Sequence, residues 1–185
     1  MNSGQILVLV LVIAAIVVAG LIFVAARKRR SQKLREQFGP EYDRVVREEG
    51  NVGKGEQVLA FRQKHREKLK IHTLSDSQRS SYLERWKEVQ SRFVDDPRGS
   101  VTVADSLVTD VMQARGYPIG DFEQRAADIS VDHPVVVDNY RAAHDIALRH
   151  SRGQASTEDL RKAMVHYRAL FEELLGEHEP QRKEA

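Results

Sequence analysis

Residues 6–26, ILVLVLVIAAIVVAGLIFVAA, are apolar throughout and carry no charged side chain. At about 1.5 Å per residue this run reaches roughly 30 Å, the thickness of a bilayer's hydrocarbon core, and it predicts a transmembrane helix. A cleavable signal peptide would need a basic n-region, which residues 1–5 lack. Directly after the run stand Arg27, Lys28, Arg29, Arg30, Lys33 and Arg35, with no acidic residue among positions 27–35. Basic residues beside a span stay on the cytoplasmic side. The expectation is a single-pass protein of the cell membrane. It has a short extracytoplasmic N-terminus over residues 1–5, a basic juxtamembrane segment over 27–39 and a cytoplasmic C-terminal domain.

The pattern then changes. Over residues 40–74 apolar positions are sparse, although Phe38, Val45, Val52 and Leu59 recur every seven residues with Tyr42 on the same side. That spacing predicts a narrow helical seam, and hence a helical stalk from about residue 40 to 70. Gly50, Gly53 and Gly55 weaken the stalk, since a glycine inside a helix costs about 1 kcal/mol relative to alanine. The stretch GNVGKG at 50–55 invites comparison with a phosphate-binding loop. Its Gly-Lys pair is not followed by Ser or Thr and no apolar strand precedes it, so a broken helix explains the same residues.

From residue 75 to 176 every signal is helical. Ser75 with Gln78 forms a capping box ahead of Tyr82, Trp86, Val89 and Phe93. Ser100 opens a second helix with Val101, Ala104, Leu107, Val108 and Val111 on one face, closed by Gly116 and Pro118. Asp121 with Gln124 starts a short third helix, and Asp132 and Pro134 start a fourth, which aligns Val136, Tyr140, Ala143, His144, Ala147 and Leu148. Ser156 starts the fifth, with Leu160, Ala163, Met164, Tyr167, Leu170, Phe171 and Leu174 before Gly176. Residues 177–185 have nothing to bury and are expected to be a disordered tail. The fold class is therefore all-α: an N-terminal transmembrane helix, a helical stalk, and a compact bundle of about five helices over residues 75–176, a size that encloses one core without metal or disulfide.

The segments FVDDP at 93–97, GDFEQRAADIS at 120–130 and DHP at 132–134 resemble a family of uncharacterised bacterial proteins, notably actinobacterial, with one N-terminal membrane span. The resemblance implies an architecture and a bundle that is the essential module. It carries no activity over to any residue here.

Charge sharpens the division. Residues 27–74 hold 14 Lys and Arg against 7 Asp and Glu, and residues 75–185 hold 15 against 20, which together make the chain's 29 and 27 and its net charge of +2. A basic segment beside an acidic folded part suits anionic lipid head groups, each nearby basic residue contributing about 1 kcal/mol. A nucleic-acid binder would place the positive charge on the folded domain, so no nucleic-acid partner is expected. The absence of cysteine excludes thiol chemistry, iron–sulfur clusters and cysteine zinc sites.

Candidate chemistry is thin. Asp95 and Asp96 form either an acidic knob for a partner or a helix stop and cap. Tyr117 and Phe122 flank a tight turn and form either an exposed aromatic lip or core anchors. His144 lies in an apolar stripe, with His133 and His166 on neighbouring segments, but no HExxH pattern supplies two metal ligands from one turn. A neutral histidine hydrogen-bonded to a carbonyl or tyrosine explains it. No Gly-x-Ser-x-Gly turn or convergent pair of carboxylates appears. The expectation is a non-enzymatic, membrane-anchored helical interaction or scaffold module on the cytoplasmic face, without cofactor or metal and with an unidentified protein partner. The alternatives are an accessory subunit of an envelope or transport complex and, from another class, a metal-dependent enzyme using His144. Gly4 and Gly20 are too far apart for a small-xxx-small motif, so the apolar run itself specifies no partner helix.

Overall fold

The computed structural model describes residues 3–176; within its first helix the side chains of residues 3, 5–10, 12, 14 and 15 fall outside that description. The described residues form eight helices and no strand: α1 (Ser3–Phe38), α2 (Pro40–Glu49), α3 (Val52–Arg66), α4 (Asp76–Arg92), α5 (Pro97–Ala114), α6 (Phe122–Asp132), α7 (Val137–Ser151) and α8 (Thr157–Leu175). The chain is all-α, as its periodicity predicts. Residues 1–2 and the expected disordered tail over 177–185 lie outside the described residues.

The transmembrane assignment requires correction. α1 is one continuous helix, but among the described residues no helix is long and apolar enough to cross a membrane. The uninterrupted apolar stretch whose side chains are described covers residues 16–26 and gives way to charge at Arg27. At 1.5 Å per residue it spans about 17 Å, little more than half a hydrocarbon core. The single-pass localisation at the cell membrane, with an outside N-terminus and a cytoplasmic domain, falls with that assignment. Positions 6–10, on which it also leaned, belong to the side chains outside the description.

Local chemistry explains most helix boundaries. Ser75 and Gln78 form the expected capping box on α4, Asp121 accepts from the Gln124 N–H at 2.9 Å to start α6, and Ser156 with Asp159 boxes α8. α5 begins at Pro97, ahead of Ser100, because Asp96 caps the Gly99 N–H at 2.9 Å and Pro97 brings its fixed φ to the first turn. Asp132 closes α6 and does not open the next helix, and α7 starts at Val137 without a side-chain cap.

Two apolar cores result. The larger is enclosed by α4, α5, α7 and α8 with one face of α6, where Trp86 stacks on Phe171 with ring centroids 4.7 Å apart. The smaller gathers Leu34, Phe38, Tyr42, Val45 and Leu59 around Val131 of α6. Residues 40–74 are thus no isolated stalk. Gly50 adopts φ 65° at the C-cap of α2, the chain reverses, and α3 returns alongside α2. Gly55 sits where a Cβ would lie 2.9 Å from the Val46 Cα, so the glycine that weakens a lone helix permits this close approach. The heptad seam is three-quarters right: Phe38, Val45 and Leu59 are buried, whereas Val52, in the first turn of α3, is exposed. Leu148, expected on the inner face of α7, is also exposed, and Ile146 is buried on that helix instead.

Candidate interaction surface

α1 carries two contrasting surfaces in succession. Ile16, Val17, Val18, Leu21, Ile22, Phe23 and Val24 are exposed on every side of the helix, Phe23 at 68%. Arg27, Lys28, Arg29, Arg30 and Lys33 follow, also exposed, and among the described residues none has a carboxylate within ion-pairing distance. Arg35 differs, donating to Asp43 at 3.2 Å and lying 4.9 Å over the Tyr42 ring. Five unneutralised cations therefore form a collar between an apolar arm and the smaller core, where Leu34 and Phe38 of the same helix are buried.

The collar faces α3 along one side. Phe23, Ala26, Arg27 and Arg30 repeat at helical spacing, as do Gly53, Glu56 and Gln57 opposite, and the two faces line a groove of about 420 Å³. Beneath it, Ser31 Oγ lies 3.2 Å from the Tyr42 hydroxyl, which donates to Glu56 Oε1 at 2.9 Å. The Glu56 carboxylate is thereby drawn inward, and its residue is only 8% exposed.

A polar seam joins this N-terminal hairpin to the bundle. Glu41, fully buried in the first turn of α2, accepts from Arg62 Nη1 at 2.7 Å and Arg141 Nη2 at 3.0 Å, with Arg44 Nη1 at 3.4 Å. Along α3, Arg62 also donates to Ser130, His65 lies 3.6 Å from the buried Asp128, and Arg66 pairs with Asp132. Burial pushes the Asp128 carboxyl above the usual carboxylate range. Periodicity gives no sign of this seam, because, apart from Arg44 with Glu41, its contacts join residues 21 to 100 apart.

The other residues singled out by the sequence are placed as follows. Asp96 is the α5 cap and Asp95 lies exposed beside it. Tyr117 and Phe122 do not form an exposed lip. Tyr117 is buried and donates to Asp132 at 2.7 Å, and burial with that neighbouring charge drives its phenol well above the ordinary range. Phe122 packs between Tyr140 and His144. His144 is half-buried and stacks on Phe122 at 3.6 Å between centroids, and burial lowers its pKa. Stacking therefore takes the place of the hydrogen bond expected for it. His133 pairs with Glu173 at 2.9 Å and His166 with Asn139 at 2.8 Å, so the three histidines have separate partners. Among the described residues no group of three or more His, Asp or Glu could hold a metal ion.

Comparison with known proteins returned no match among family models, curated proteins or solved structures. In this chain the segments at 93–97, 120–130 and 132–134 do structural duty: Asp96 caps α5, while Asp128, Ser130 and Asp132 meet α3.

Proposed function

We propose that the protein is a non-enzymatic helical interaction module whose α1 collar binds anionic lipid head groups and presents the bundle beside them. The observation that carries this reading is the set of five exposed cations, Arg27, Lys28, Arg29, Arg30 and Lys33, lacking carboxylate partners among the described residues and adjoining side chains that are apolar on every side. Head-group contact by such a collar needs no helix that crosses a membrane. At about 1 kcal/mol per cation near an anionic surface the collar contributes roughly 5 kcal/mol, a dissociation constant of a few tenths of a millimolar. The exposed Leu21, Ile22, Phe23 and Val24 add apolar contact at the same surface.

The test compares partitioning of the full chain onto phosphatidylcholine vesicles with and without phosphatidylglycerol. Apolar contact contributes to both, so the ratio isolates charge. The ratio should favour the anionic vesicles strongly at low salt and fall as ionic strength rises. Equal partitioning at low salt would refute the proposal.

A further inference from the structure

Resting on that reading, we propose that the groove between α1 and α3 is a phospholipid site, in which Arg27 and Arg30 hold the phosphate of one anionic lipid. The collar has a second hollow, lined by Ile22, Ala25, Ala26, Arg29, Arg30 and Lys33, but every one of those residues lies on α1, whereas this groove has an opposing wall from α3. Arg27 and Arg30 are three residues apart on the face of α1 turned toward α3, so their guanidinium groups can converge on one anion, whereas Lys28 and Arg29 are not among the groove's lining residues. Guanidinium forks bind phosphate oxygens bidentately, and neither fork is engaged by a carboxylate among the described residues.

The one carboxylate in the groove wall, Glu56, is ion-paired with neither arginine. Glu56 lines the groove, yet its Oε1 accepts the Tyr42 hydroxyl at 2.9 Å, and the acid is nearly buried. The remaining wall is uncharged, made by Gln57 and Gly53.

The groove also suits a lipid better than a soluble phosphate ester. Phe23 and Ala26 form its outer end, and the helix continues from there into Ile22, Leu21 and Val18, all exposed. A phosphate seated at Arg27 and Arg30 leaves its glycerol and acyl chains lying along apolar side chains. A volume of about 420 Å³ is within the range of small-molecule sites, enough for a head group and glycerol.

The test uses charge-matched pairs in the full chain. Arg27→Gln with Arg30→Gln, and Lys28→Gln with Arg29→Gln, remove equal charge from four exposed positions on one helix, and thermal melts should show both variants folded. A diffuse collar predicts the same fall in phosphatidylglycerol preference for both. The groove predicts a fall at least about tenfold larger for the Arg27/Arg30 pair, from loss of the guanidinium–phosphate contacts. On the opposite wall, Gln57→Glu should weaken the preference more than Lys54→Gln, although each makes α3 more negative by one charge. Glycerol 3-phosphate at matched ionic strength should leave the preference unchanged. Equal losses for the two arginine and lysine pairs would overturn the groove and leave the collar reading intact. Displacement by glycerol 3-phosphate that disappears in the Arg27/Arg30 variant would replace the lipid by a soluble phosphate. An absence of anionic preference in the unaltered chain would overturn both readings.

Discussion

Glu41→Gln should loosen the joint between hairpin and bundle. The carboxylate is fully buried and holds Arg62 and Arg141 from two other helices at 2.7 and 3.0 Å. Gln keeps the volume and one acceptor oxygen but removes the charge that compensates three guanidinium groups. Removing one partner of a buried ion pair costs about 3–5 kcal/mol. Here Arg141, Arg62 and Arg44 remain 13%, 15% and 25% exposed, so water recovers part of the loss. The expected cost is about 2–3 kcal/mol, read as a lower urea midpoint at an unchanged slope. Arg141→Gln should cost less, about 1–2 kcal/mol, because Glu41 retains Arg62, and the double variant should show coupling of about 1–3 kcal/mol. Hydrogen exchange should rise in the α6 amides around Ser130 and Asp132 before it rises in α5 or α8. A Glu41→Gln cost below about 0.5 kcal/mol, or a loss without faster exchange at α6, would refute the role of Glu41 as the joint.

Gly55→Ala should destabilise the hairpin although it improves helix propensity: the gain of about 1 kcal/mol is outweighed by about 1–3 kcal/mol of overpacking, since the new Cβ meets both the Cα and Cγ2 of Val46 at 2.9 Å. A rise in urea midpoint would show that α2 yields freely there. His144 supplies a pH test. Burial holds its folded pKa below the unfolded 6.5, so its contribution is complete above 6.5 and is lost as pH falls from 6.5 toward the lower folded value. His144→Gln should therefore flatten the stability profile between about pH 7 and 5 relative to the unaltered chain, and parallel profiles would contradict the burial argument.

The helical elements were legible because their signals are local. Ser75 with Gln78, Asp121 with Gln124 and Ser156 with Asp159 each act within one turn, and the stripe Leu160, Ala163, Met164, Tyr167, Leu170, Phe171 and Leu174 is buried as its spacing predicts. What escaped depends on contacts distant in sequence. Glu41, next to Gly39 and Pro40, reads as an ordinary first-turn acid on a solvated face, and nothing local announces Arg62 or Arg141. Asp132 reads as a helix start beside Pro134, but its carboxylate is engaged by Arg66 and Tyr117 and so does not cap α7, while α6 ends as His133, the residue before Pro134, leaves helical geometry. The basic collar was plain from composition. Its groove was not, since one wall exists only because Gly50 turns α3 back toward α1.

The division into an apolar bundle and a polar seam has a mechanical consequence. α1 runs unbroken from the collar to Leu34 and Phe38, which are fixed in the smaller core, and that core takes in Val131 of α6. α6 in turn buries Ala126 and Ile129 in the larger core. A load applied at Arg27–Arg30 thus passes through buried side chains to the bundle without crossing a loose linker. The seam beside this path is built from charges whose net contribution to stability is modest, because desolvation offsets their attraction. Their directional contacts nevertheless fix how α3 lies against α6, through Arg62 and Arg66, and tie α7 to α2, through Arg141 and Glu41. Apolar contact alone, spread over Val131 and its neighbours, would tolerate sliding. The buried ion pairs therefore set the angle at which α2 and α3, and with them α1, meet the bundle.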